Sequence, residues 1–192
     1  MNGPLTPELL LAAYREGYFP MAESRSGPIG WFSPDPRAII PLDAFHVPRS
    51  LRRLVARGEF VIRMDSVFRE VIAACAERTD TWISQEIVEA YAALHDLGYA
   101  HSVEAWKNET LAGGLYGVSI GGAFFGESMF TRASGASKVA LVHLVRHLVS
   151  RGYLLLDAQF TNPHLVQFGV REITRKAYLL MLRRAVQSEV TF

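Results

Sequence analysis

The stretch spanning residues 113–130, Gly-Gly-Leu-Tyr-Gly-Val-Ser-Ile-Gly-Gly-Ala-Phe-Phe-Gly-Glu-Ser-Met-Phe, constrains this chain more than any other. Gly121-Gly122 accepts the positive φ angles of a tight hairpin turn, so the flanking segments read as two antiparallel strands. Gly113, Gly114, Gly117 and Gly126, with Gly135 further on, are costly in a sheet, because glycine packs nothing and loses the most entropy on ordering. Their presence predicts that something approaches the backbone closely. Glu127 is a lone carboxylate between Phe124-Phe125 and Met129-Phe130, and a charge in such company has a partner or a task.

Bulk properties narrow the class. A chain of 192 residues is long for one core and short for two full-sized ones, and 49% apolar content gives it a sizeable core. A net charge of +1 excludes a general polyanion-coating protein while leaving room for local basic patches. The one cysteine, Cys75, excludes an internal disulfide and a Cys-rich metal site; it reads as a core residue in a reducing compartment. No apolar run reaches the ~20 residues of a membrane span, and the N-terminus lacks a signal-peptide pattern. A cytoplasmic α/β protein is the expectation.

Along the chain, Thr6-Pro7-Glu8 opens a helix with Leu9, Leu10, Ala13 and Tyr14 on its apolar stripe and Gly17 as its stop. Ser33 and Asp35 each precede proline, which forbids a helix there. Residues 1–36 therefore read as a small aromatic-rich lobe and residues 37–192 as the main domain. Arg49, Arg52, Arg53 and Arg57 alternate with Leu51, Leu54 and Val55 in a short helix; from charge alone they form a solvated face. A strand over 60–64 precedes Asp65, read as the cap of a helix burying Phe68, Val71, Ile72 and Cys75. Ser84 caps a second helix with Ile87, Tyr91 and Leu94 inward. Three strands (99–106, 111–119, 123–129), a helix over 137–151, a strand over 153–159, a helical turn, a strand over 170–174 and a helix over 175–186 follow.

That order resembles the N-acyltransferase (GNAT-like) fold of acetyl-CoA-using enzymes, an α/β fold of the α+β type with a mixed, largely antiparallel sheet flanked by helices. In it the fourth and fifth strands splay apart, and the acyl donor lies in the opening. Here those strands end in Glu127 and in Asp157 and Gln159, so the resemblance brings the three into one cleft. Other constellations are weaker. Ser128 lacks the second glycine of a Gly-x-Ser-x-Gly elbow and reads as structural. His143 and His147, i and i+4, lack the glutamate of a zinc-protease motif and read as a surface pair, while His101 and His164 show no partner. The loop over 132–137 nearly matches the one that cradles coenzyme A pyrophosphate, so an acetyl-CoA-dependent N-acetyltransferase is the alternative reading.

Many separated motifs carry a closer resemblance: Ala13-Tyr14-x-x-Gly17-x-Phe19-Pro20, Ser33-Pro34-Asp35-Pro36-Arg37, Arg49-Ser50-Leu51, Thr81-Trp82-Ile83, His101-Ser102-Val103-Glu104-x-Trp106, Gly113-Gly114-Leu115-Tyr116-Gly117, Phe125-Gly126-Glu127-Ser128-Met129-Phe130, Ala136-Ser137-Lys138 and Asp157-x-Gln159. Together, over about residues 5–182, they resemble the leucyl/phenylalanyl-tRNA–protein transferase family. The resemblance implies transfer of Leu or Phe, and also Met, from aminoacyl-tRNA to the N-terminal Arg or Lys of a protein, marking it for N-end-rule degradation. It implies no cofactor and no metal. Glu127, Asp157 and Gln159 fall on the family's reaction centre, and Leu115, Phe124, Met129, Leu141, Leu144 and Leu156 on its pocket for the transferred side chain. Trp82 falls on its platform for the terminal adenine, and Met21 stands where some members carry Trp. With this implied, Arg49, Arg52 and Arg53 gain weight as contacts for acceptor-stem phosphates. The expected roles are Gln159 accepting a hydrogen bond from the attacking amine, Asp157 orienting that amide, and Glu127 sensing an ammonium or the acceptor's cation. A monomer with no membrane partner is expected.

Overall fold

The computed structural model describes residues 4–79 and 81–192; the first three residues of the expected lobe lie outside it. Thr6 accepts the Leu9 N–H at 3.3 Å and so caps α1 (Pro7–Arg15), whose Leu10, Leu11 and Tyr14 are buried. Two short strands, β1 (Phe19–Ala22) and β2 (Ile29–Phe32), pair antiparallel with each other. The remaining elements are β3 (Arg37–Ile39), α2 (Arg49–Ala56), β4 (Val61–Met64), α3 (Phe68–Ala76), α4 (Gln85–Asp96), β5 (Ala100–Lys107), β6 (Thr110–Ile120), β7 (Ala123–Thr131), α5 (Ala136–Arg151), β8 (Leu155–Gln159), the single turn α6 (Pro163–Val166), β9 (Arg171–Ile173) and α7 (Arg175–Val186). From β4 onward this is the order read from the sequence.

The main sheet runs β4-β5-β6-β7-β8-β3-β9, antiparallel at every step except β7–β8. One core, with Tyr14, Phe68, Ile72, Tyr91 and Tyr178, joins one face to α1, α3, α4 and α7; a second, with Leu51, Leu141, Leu144 and Leu148, joins the other to α2 and α5. This is the mixed sheet between helices that the sequence predicts. β3 is an addition: it lies between β8 and β9, setting Ala38 against Gln159 and Ile39 against Asp157.

The glycines of β6 do serve close approach, but by the chain itself. A Cβ on Gly117 would stand 2.4 Å from the Phe124 ring, and one on Gly113 would stand 2.7 Å from the Ala136 Cβ at the start of α5. Asp65 does not cap α3. It sits at φ 55°, Val67 takes the cap position, and the Asp65 carboxylate instead accepts the Ser102 N–H and meets His101 Nδ1, each at 2.8 Å. His101, partnerless in the sequence, thus has one, and His143 and His147 are half-buried rather than superficial.

Two irregularities open the sheet. Tyr116 pairs with Ser128 and Gly117 with Gly126, so Glu127 is the extra residue of a β-bulge, a feature that re-aims side chains. Parallel pairing of β7 with β8 covers only Ala123↔Leu155, Phe124↔Leu156 and Phe125↔Asp157. Beyond that point β7 continues to Thr131 while β8 ends at Gln159, whose φ is +63°.

Candidate active site

The opening is a cleft of about 440 Å³, within the ~300–1,000 Å³ of small-molecule sites. Its wall includes Glu127, Asp157 and Gln159 together with Leu115, Met129, Leu141, Leu144 and Leu156, and Met21 and Trp82 also line it. The Ala22 N–H donates to the Trp82 carbonyl at 3.1 Å, which ties β1, and hence Met21, to Trp82.

On the β8 side, Asp157 is fully buried and its acceptor capacity is filled. Arg37 grips it bidentately, Nε to Oδ1 at 2.9 Å and Nη2 to Oδ2 at 2.5 Å. The Tyr178 hydroxyl donates to Oδ2 at 2.7 Å, and the backbone N–H of Gln159 donates to Oδ1 at 2.8 Å. Arg37 is itself fully buried; it donates to the Gly17 carbonyl at 3.1 Å and lies over the Phe19 and Tyr178 rings at 4.7 and 4.5 Å. Burial opposes its charge, but the Asp157 hydrogen bond and charge outweigh that and raise its pKa above the usual guanidinium value. Asp157 therefore does not orient the Gln159 amide. It fixes the backbone of Gln159 in a left-handed conformation that a non-glycine residue adopts at a cost of ~1–3 kcal/mol.

On the β7 side, Glu127 orients that amide. Gln159 Nε2 donates to Glu127 Oε1 at 2.9 Å across the split, which leaves the Gln159 carbonyl oxygen as an unspent acceptor. Tyr14 donates to the same Oε1 at 2.6 Å and Tyr91 to Oε2 at 3.3 Å, while the two tyrosine hydroxyls also touch each other. Every hydrogen-bond partner of this carboxylate among the described residues is neutral. Burial pushes its pKa up to about 7, with the nearby Asp157 charge adding to the rise and the tyrosine hydrogen bonds and Arg37 only partly offsetting it. Tyr14 and Tyr91 are fully buried, and burial, then the Glu127 charge, raises both phenols well above their ordinary value.

Ten of the residues singled out from the sequence thus share one cleft: Glu127, Asp157, Gln159, Leu115, Met129, Leu141, Leu144, Leu156, Met21 and Trp82. Phe124 does not line it. Its ring is fully buried in the core that also holds Leu141, stacked on Phe192 and set in the space that Gly117 leaves. Arg49, Arg52 and Arg53 stand exposed on α2, outside the cleft. Sequence reasoning missed Arg37, Tyr14, Tyr91 and Tyr178 as members of the polar frame. The available signal was the phenol: a tyrosine on a fully buried stripe needs a hydrogen-bond partner.

The loop before α5 is not open to a pyrophosphate. Ala136 is fully buried and Ser137 nearly so, the α5 start packs on Gly113, and Leu54 of α2 fills the space beside Gly135. Arg132, its first residue, is paired to Glu77 at 3.0 Å and lies over the Phe130 ring.

Residues 39–183 match the family described as leucyl/phenylalanyl-tRNA protein transferase, and residues 3–35 match that family's N-terminal domain. A leucyl/phenylalanyl-tRNA–protein transferase of Salinibacter ruber is 55% identical over 186 residues, covering 97% of this chain and 82% of the relative. One of Akkermansia muciniphila is 53% identical over 194 residues, covering 98% and 100%. Among solved structures, a GCN5-related N-acetyltransferase-like protein of Streptococcus suis aligns over 96% of this chain and 64% of its own at 16% identity, with a TM-score of 0.35, a likeness too slight to bear on the site. By the extent of the family match and by relatives that are more than half identical over nearly its whole length, this chain belongs to the leucyl/phenylalanyl-tRNA–protein transferase family.

Proposed function

We propose that the chain moves Leu, Phe or Met from the 3′ end of an aminoacyl-tRNA to the α-amine of a protein beginning with Arg or Lys, as a monomer in the cytoplasm, and so marks the acceptor for N-end-rule degradation. The observation that carries this reading is the Gln159–Glu127 hydrogen bond of 2.9 Å, made across the split and beside an apolar hollow.

The chemistry needs little from the protein beyond placement. The ester is already activated, and an α-amine with a pKa of ~7.7–8.0 is partly uncharged near neutrality. Its lone pair attacks the ester carbonyl carbon, a peptide bond forms, the ester C–O bond breaks, and the ribose oxygen leaves with a proton. Holding amine and ester together supplies ~7–11 kcal/mol of the barrier. Gln159 accepts a hydrogen bond from the attacking amine through its free carbonyl oxygen; an amide is too weak to be the base, so its part is positioning. Glu127 holds the amide in that orientation and, with only neutral hydrogen-bond partners among the described residues, attracts the acceptor's positive end. Asp157 and Arg37 keep Gln159 where it is. The transferred side chain enters the slot of Leu115, Met129, Leu141, Leu144 and Leu156, and the adenine stacks on Trp82 with Met21 against its edge, a contact worth ~1–3 kcal/mol per base. Residues 1–36 act as a lobe that brings Tyr14 to Glu127 and Met21 to the adenosine.

The test is transfer of label from Phe-tRNA to a peptide beginning with Lys or Arg, with acetyl-CoA as the competing donor. Label moving from tRNA supports the reading; acetylation alone contradicts it.

A further inference from the structure

Arg78 is the only arginine or lysine among the described residues lining the cleft. It follows α3 and stands four residues before Trp82. Its position is set from two sides. Arg25, in the turn between β1 and β2, donates through Nη2 to the Ala76 carbonyl at 2.7 Å and to the Arg78 carbonyl at 3.4 Å, which holds the main chain. The Arg78 guanidinium in turn donates through Nη2 to the Met129 carbonyl of β7. Its neighbour Arg132 is consumed by Glu77, but no carboxylate among the described residues pairs with Arg78. A guanidinium carries five N–H donors, and one carbonyl uses only part of that fork. A cation anchored on a carbonyl, with no carboxylate paired to it among the described residues and facing a ligand cleft, suits an anion, and the fork matches phosphate best.

A terminal adenosine stacked on Trp82 brings a single kind of anion into the cleft, the phosphate on its 5′ side. We infer that Arg78 binds that phosphate, so that the donor is gripped by its base, its acyl side chain and its last backbone phosphate at once. The inference rests on the reading of the cleft as the donor site. It also accounts for the anchoring: the carbonyl that holds Arg78 belongs to Met129, a wall of the acyl slot, so the phosphate and acyl subsites share one rigid frame.

The experiment compares two stable donor analogues, 3′-deoxy-3′-(phenylalanylamido)adenosine and its 5′-phosphate, by calorimetric Kd at one fixed ionic strength. The wild-type protein is expected to bind the phosphate form about tenfold tighter, the low end for a charge-assisted hydrogen bond at an exposed position. Arg78→Ala should abolish that increment, so that the two analogues bind alike whatever the variant's Kd for the unphosphorylated one; Arg78→Lys should keep part of the increment, as a point charge without the fork. Equal binding of the two analogues by the wild type, an increment that survives Arg78→Ala, or a loss that falls on the acceptor peptide's KM instead would each overturn the inference while leaving the donor-site reading intact. Failure of the wild type to bind either analogue would overturn the donor-site reading, and the inference with it.

Discussion

Two carboxylates stand on opposite sides of the same opening, and they are buried by different means. Asp157, on β8, is met by a bidentate arginine, a phenol and a backbone N–H, so its charge is balanced and its acceptor sites are spent. Glu127, on β7, is met by two phenols and a carboxamide, all neutral, and its pKa rises to about 7. The difference teaches where structure ends and function begins at this split. The Asp157 side is a fixed charge pair that positions the chain. The Glu127 side carries an unbalanced charge that a cationic substrate can complete, at a cost to the empty protein.

The largest expected effect comes from breaking the balanced side. Arg37→Ala leaves Asp157 buried and unpaired and should cost about 3–5 kcal/mol of unfolding free energy by chemical denaturation. On the other side, Glu127→Gln should lower kcat/KM for Phe transfer by about 10²-fold, the scale of losing one preorganised electrostatic group. The same substitution should stabilise the fold at pH 8. A carboxyl with a raised folded pKa costs nothing below its unfolded value of 4.5, destabilises progressively as pH rises toward 7, and stays costly above. Because Glu127 keeps a minor part of its surface open to the cleft, the gain expected is about 1–3 kcal/mol at pH 8, vanishing by pH 4; thermal unfolding at both values checks it.

Smaller effects sharpen the contrast between the polar frame and the apolar slot. Leu, Phe and Met should all be transferred with preferences of ~1–3 kcal/mol, while Val and Ile, branched at the neck, should be poor donors in competition assays. Leu144→Ala should shift that ranking toward Phe without altering the pH profile. Smallest of all, Arg52→Ala with Arg53→Ala should weaken tRNA binding several-fold and flatten its salt dependence, measured as the slope of log Kd against log salt concentration. An unchanged slope returns these exposed arginines to the solvent.

How much was legible follows the same division. The two polar strand ends could be found in the sequence because each interrupts an apolar run: Glu127 between aromatic pairs, Asp157 after three leucines. The helices with side-chain caps at Thr6 and Ser84 were legible because their signals are local. β3 was not, since three residues beside prolines show no period and their partners lie more than a hundred residues away. Tyr14 and Tyr91 sit where helical periodicity expects apolar bulk, and the pattern hides the hydroxyls that reach Glu127. Which carboxylate would hold the Gln159 amide depended on a bulge and on one positive φ, neither of which leaves a mark in composition or spacing.

The most direct test of the pairing across the split is a double-mutant cycle on kcat/KM for Phe transfer with Glu127→Gln and Gln159→Ala. If Glu127 acts by holding the Gln159 amide, the double variant should be no worse than the poorer single variant, because the two residues act as a unit. Losses that simply add would contradict the account.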